Sequence, residues 1–142
     1  MKKTKYKRTI VIILCVIFTV YLMGGCSMQE AQEEKLKDLE FTVVTEAELP
    51  QALKDVIMEK KSKSFQISYT LGDDLYITAG YGEQASGGYS ICVNELYETE
   101  TNIVIDTTLM GPESQDQITD TPSFPYIVVK TENIDGKTVE FR

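Results

Sequence analysis

Beyond residue 64, apolar and polar residues alternate along the chain. Phe65, Ile67, Tyr69 and Leu71 recur at every second position, Gly72-Asp73-Asp74 intervenes, and Leu75, Ile77, Ala79 and Tyr81 continue the pattern. A period of two sends successive side chains to opposite faces, so the stretch predicts two strands joined as a hairpin. Runs at 89–94, 102–109 and 126–130 predict three more strands. A closing strand is predicted at 138–141, after a turn at Asn133-Ile134-Asp135-Gly136. Between them, 111–123 reads as a polar loop with Pro112 and Pro122 near its ends.

Ahead of the hairpin the period changes. Leu49, Leu53, Val56 and Ile57 form one apolar stripe at helical spacing. Thr45 and Glu48 have capping-box spacing, Pro50 suits a first helical turn, and Lys60, Lys61 and Lys63 lie where cations favour the helix dipole. One helix is therefore expected, covering one side of a sheet. Phe41 to Thr45 is rich in β-branched residues and reads as a first strand. The fold expected is mainly β with one helix, a single-domain antiparallel β-sandwich or partly open barrel.

The N-terminus has a different pattern. Lys2, Lys3, Lys5, Lys7 and Arg8 precede an uncharged apolar run over 10–23. A membrane-spanning helix needs about 20 apolar residues, so the run fits the core of a signal peptide better. It ends in Leu22-Met23-Gly24-Gly25-Cys26, which resembles a lipobox: an apolar residue, two small residues and the cysteine that carries lipid. Residues 1–25 are thus read as a lipoprotein signal peptide, 26–40 as a charged tether and 41–142 as the β-rich domain. Each buried lipid methylene contributes about 0.8 kcal/mol, and two acyl chains anchor stably where one does not. The expected location is the extracytoplasmic face of the cell membrane, held by lipid on Cys26.

Charge supports that division. Of 14 basic residues five lie in the leader, leaving nine against 22 acidic ones, so the mature chain is expected to avoid nucleic acid and anionic lipid. There is no histidine, which removes Ser-His-Asp and Cys-His catalysis and most zinc sites. With Cys15 in the leader and Cys26 lipidated, Cys92 has no partner for an intrachain disulfide. Set between Ile91 and Val93 in a strand, it reads as an inert packed thiol. No catalytic residue, metal ligand or cofactor is expected.

One stretch stands apart. Gly82-Glu83-Gln84-Ala85-Ser86-Gly87-Gly88-Tyr89-Ser90 lacks the lysine of a P-loop and has strands on both sides. It reads either as a strand connection whose glycines take positive φ or as an exposed loop presenting Ser86, Tyr89 and backbone amides to a partner. With Pro122-Ser123-Phe124-Pro125-Tyr126-Ile127-Val128-Val129-Lys130, the segment from Tyr81 to Ile91 resembles the C-terminal domain of the protease complex subunit PrcB family, over roughly residues 64–131. Ser86 stands where that family often has Thr, and Ala85 where Pro is common. A fainter likeness joins the loop to immunoglobulin-like chagasin-type inhibitors of papain-like proteases.

The resemblance implies a non-catalytic, lipid-anchored protein that binds and stabilises, or otherwise modulates, a secreted protease. Its implied contacts are Ser86, Gly87, Gly88, Tyr89, Phe124, Pro125 and Tyr126, with Tyr89 and Tyr126 as aromatic anchors. Phe124-Pro125 is a position where a cis bond is affordable. The alternative is a small-ligand or envelope-structural lipoprotein unrelated to proteolysis.

Overall fold

The computed structural model describes residues 33–142. The leader, the lipobox and Cys26 lie outside the described residues. Within them the chain forms β1 (Lys37–Asp38), β2 (Thr42–Val43), a 3-10 turn at Glu46–Glu48, α1 (Gln51–Lys60), β3 (Ser64–Leu71) and β4 (Asp74–Tyr81). There follow β5 (Ser90–Glu98), β6 (Asn102–Met110), a 3-10 turn at Gln115–Gln117, β7 (Tyr126–Glu132) and β8 (Thr138–Phe141). Two open four-stranded sheets result, ordered β1-β5-β6-β8 and β2-β7-β4-β3. They form a sandwich and do not close into a barrel.

Strand β4 shows why the layers stack as they do. Leu75 and Ile77, together with Val129 of the adjacent strand β7, face the other sheet and meet its Leu96, Ile103 and Ile105, with Leu39 packed in the same core. The intervening Tyr76 faces the helix, in a second core of Leu49, Leu53, Ile57, Phe65 and Val128. A central strand covered on both faces needs apolar residues at both parities, and β4 is buried at every position from Leu75 to Gly80. The edge strand β3 keeps the simple alternation. Gly72, at φ +61°, makes the two-residue hairpin turn with Asp73, which keeps negative φ as the II′ pattern requires. Gly80 sits opposite Phe65, and a Cβ there would lie 2.1 Å from the Phe65 ring, so the ring occupies the space a side chain would take.

Several expectations are corrected. The helical stripe is interrupted: Leu49 and Pro50 have ψ of 143° and 138°, so Glu46–Glu48 is a separate turn and Pro50 is the N-cap of α1. The ring of Pro50 pushes the preceding residue out of the helical region. The capping box itself is present, with the Thr45 backbone N–H and hydroxyl both donating to Glu48 Oε2 at 3.2 and 2.7 Å. The pairing is not wholly antiparallel, because β8 runs parallel to β6. Both strands start from the end of the sandwich that carries the tight turns. Cys92 is exposed: it shares a face with its partner Thr108, while Ile91 and Val93 take the inward parity. The Phe124-Pro125 bond is trans.

Part of the span read as tether lies on the sheet. The Leu36 N–H donates to Glu98 O at 2.8 Å, the Leu39 N–H donates to Leu96 O at 2.9 Å, and Leu39 enters the core between the sheets. Among the described residues, no helix is long and apolar enough to cross a membrane.

Candidate functional site

The strands give the sandwich two unlike ends. The turns at 72–73, 99–101 and 133–136 occupy one. The glycine-rich loop 82–89, the loop 111–125 and the C-terminus of α1 occupy the other. The two loops are 30 to 40 residues apart in sequence, yet they form one unit. Gln84 and Ser123 exchange backbone hydrogen bonds of 2.8 and 3.1 Å as a small antiparallel bridge. The Ser123 hydroxyl donates to Ser86 O at 2.6 Å, and the Gly87 N–H donates to Thr119 Oγ1 at 3.0 Å.

The glycines make this approach possible. Gly88 has φ +86°, and a Cβ there would meet Gln117 O at 2.6 Å and the Pro112 ring at 2.9 Å. Gln117 is fixed in turn, because its side-chain oxygen accepts from the backbone N–H of Glu113 at 2.7 Å. Gly82, at φ +73°, lets the base of the loop run within contact of Lys63 and Ser64. Its neighbour Glu83 donates its N–H to Ser62 O at 3.3 Å, tying the loop to the end of the helix. The positive-φ strand connection and the exposed loop are therefore one object, a turn whose glycines fit it against a second loop.

The seven implied contact residues fall into three places. Ser86, Gly87, Gly88 and Tyr89 belong to the loop pair; Ser86, Gly87 and Tyr89 are half-buried and Gly88 is exposed. The Tyr89 ring lies near Gly111, where an added Cβ would come 3.9 Å from Tyr89 Cε1, an ordinary contact. Phe124 and Pro125 run along the end of β4: Tyr81 donates its N–H to Pro125 O at 3.0 Å, and the Lys61 ammonium sits 5.5 Å from the centre of the Phe124 ring. Tyr126 lies apart from Tyr89, on the helix side of its sheet. Its hydroxyl reaches Glu46 Oε2 at 3.5 Å in a shallow crevice shared with Leu49, Lys54, Ile57 and Met58. Burial, and then the Glu46 carboxylate, raises the Tyr126 phenol above its ordinary value. The two tyrosines do not form a single anchor pair.

The loop pair offers shape and hydrogen-bonding backbone more than reactive groups. The hydroxyls of Ser86, Thr119 and Ser123 donate to the carbonyls of Gly87, Thr121 and Ser86. Among the described residues, no three His, Cys, Asp or Glu side chains are grouped to hold a metal ion. The residues that brace the site, Gln84, Gln117, Thr119 and Ser123, carry little signal in sequence. Only Ser114 and Gln117 show a pattern, the spacing of a capping box, and the structure forms one there.

No curated protein and no solved structure matches the chain. A family model described as PrcB C-terminal matches residues 75–132. The matched segment starts in β4, takes in β5 and β6 and ends in β7, and it contains the whole of both loops. It leaves out α1, β3 and β8. By that match, the segment from Leu75 to Glu132 belongs to the PrcB C-terminal family.

Proposed function

We propose that this protein is a lipid-anchored accessory subunit, without catalytic activity of its own, that binds a secreted protease through its loop pair. The observation that carries the reading is the position of the braced unit 82–89/111–125, which falls entirely inside the segment matching the PrcB C-terminal family. A loop held by a backbone bridge and two side-chain hydrogen bonds loses little entropy on docking, which favours recognition by a preformed surface. The lipobox resemblance at Cys26 supplies the anchor, and the family resemblance supplies the protease. The groove between Asp73-Asp74, Glu40-Phe41-Thr42 and Lys130 is open and lined largely by charged and hydroxyl side chains, which does not favour an apolar small ligand.

The test is co-purification of the native, anchored chain from its own membranes, with the captured proteins identified by mass spectrometry. A secreted protease that is recovered with wild type and lost with Tyr89→Ala supports the reading. Recovery of transport components alone, or of the same protease from the Tyr89→Ala protein, would refute it.

A further inference from the structure

Edge strands expose unpaired backbone N–H and C=O groups, and proteins ordinarily blunt them with short length, charge, proline or a bulge. Among the described residues the two sheets have four edges, β1, β8, β2 and β3. Strands β1 and β2 are two residues long, and β1 is charged at both positions. Strand β8 has four residues, with Glu140 inside it and Arg142 behind it. Strand β3 has none of these devices. It runs for eight residues, Ser64–Leu71, without charge or proline, and pairs with β4 one to one throughout.

The hairpin fixes which backbone groups point off the sheet. Leu71 and Asp74 close the two-residue turn as a hydrogen-bonded pair, so the odd-numbered positions of β3 bond to β4. The Tyr81 N–H, which donates to Pro125 O on the other side of β4, agrees with that phase. Ser64, Gln66, Ser68 and Thr70 therefore present their N–H and C=O groups outward, and all four are exposed. Phe65, Ile67 and Tyr69 lie on the helix side, with Ile67 and Tyr69 only half-buried.

We infer that β3 is the interface for a second copy of this chain, the two β3 strands pairing antiparallel about a two-fold axis at Ile67. An axis perpendicular to the sheet keeps each side chain on its own face, so outward positions must meet outward positions. Setting Ser64 opposite Thr70 and Gln66 opposite Ser68 satisfies all four on each copy. The same register sets Phe65 opposite Tyr69 and Ile67 opposite itself, cross-strand pairs of the kind that stabilise sheets. Charge favours a second copy and sets its direction. The strand is neutral, Lys60, Lys61 and Lys63 outnumber Glu59 just before it, and the exposed Asp73 follows it. Antiparallel copies bring the lysines of one beside the aspartate of the other, whereas parallel copies would set like charges together. The two four-stranded sheets become one continuous sheet, and no residue of the loop pair is used.

The test is disulfide trapping in the full chain, in detergent, with Cys15→Ser and Cys92→Ser removing two native thiols. Ile67→Cys should form a covalent dimer on mild oxidation, because a non-hydrogen-bonded antiparallel pair holds its Cα atoms about 4.5 Å apart, within disulfide reach. Thr70→Cys should form none beyond that of the chain without a new cysteine, since in this register its two copies are roughly 20 Å apart. Ser68→Pro, added to Ile67→Cys, should abolish the dimer and keep a cooperative urea transition, because the lost N–H bonds nothing within one copy. Absence of a dimer from Ile67→Cys, equal trapping from Thr70→Cys, or trapping that survives Ser68→Pro would overturn the pairing. Protection of the Gln66 and Ser68 amides from exchange without any dimer would assign the edge to another occupant, and would overturn it equally.

Discussion

Replacing Gly88 by alanine tests whether the two loops are locked together. Two costs are expected. Gly88 sits at φ +86°, where an L-residue pays about 1–2 kcal/mol for the left-handed conformation. The new Cβ would also lie 2.6 Å from Gln117 O and 2.9 Å from the Pro112 ring, and overpacking of that kind adds roughly 1–3 kcal/mol. Gly72 provides the control: its φ is +61°, and a Cβ there meets nothing within 4 Å. Gly72→Ala should therefore cost only the conformational part.

The clash has a ceiling, because the loops can part. Parting breaks the two Gln84–Ser123 backbone bonds, the Ser123 hydroxyl bond to Ser86 and the Gly87 bond to Thr119. At about 1 kcal/mol net for each, the loop contact is worth roughly 4 kcal/mol. Gly88→Ala should thus destabilise by about 2–4 kcal/mol, against about 1–2 kcal/mol for Gly72→Ala. Urea unfolding with an unchanged slope gives both numbers, and hydrogen exchange at the Gln84 and Ser123 amides shows whether the loops have separated. If Gly88→Ala costs no more than Gly72→Ala and both amides stay protected, the loops are not locked in this way.

Three further outcomes follow from the packing. Thr78 is fully buried and its hydroxyl has no hydrogen-bond partner, so Thr78→Val should raise stability by about 1 kcal/mol; a fall in the urea midpoint would show that the hydroxyl is satisfied. Gly80→Ala should drive Phe65 from its place over the strand and cost about 1–3 kcal/mol, with loss of Phe65 contacts to β4 visible by NMR. The Thr101 hydroxyl, and after it that of Thr99, holds the Glu33 carboxyl below its ordinary range. As pH falls, the unfolded glutamate protonates first. The contribution of these two contacts is therefore complete above the ordinary glutamate value and lost as pH falls through the lowered one. Exchange protection at the Leu36 amide should follow that course, and Glu33→Gln should abolish it.

Much of the fold was legible because one rule governed each stretch. Burial on one face fixed the alternation of β3, and the Gly72-Asp73 turn fixed its register with β4. Elsewhere two effects competed. The Leu49–Ile57 stripe reads as one helix, but the restriction that Pro50 imposes on Leu49 outweighs the periodicity and splits it. Parity places Cys92 outward, whereas its apolar neighbours argue for burial. Residues 33–39 look like tether because their charges hide how they attach: Lys35 reaches the remote Glu95, Glu33 reaches the remote Thr99 and Thr101 hydroxyls, and only Leu39 enters the core. The loop pair was half visible. Glycines announced a special backbone at 82–88, but nothing in the sequence joined Gln84 to Ser123.

That missing link changes how the loop should be probed. Gly87 and Gly88 are both recognition candidates and the means by which the loop meets its neighbour: a Cβ on Gly87 would fall 2.6 Å from Thr119 Oγ1, and one on Gly88 would strike Gln117. Loss of partner binding in either variant would therefore not separate a lost contact from a displaced loop. Tyr89 is different. Its side chain is half-buried and takes no part in the bridge or the loop hydrogen bonds, so truncation removes a side chain from the edge of the unit and leaves them in place. Of the seven implied contacts, Tyr89 is thus the one at which loss of binding with an unchanged urea midpoint can be assigned to recognition. Tyr126, on the helix side with Glu46, tests a separate surface, and a partner that needs both must extend around the end of β7.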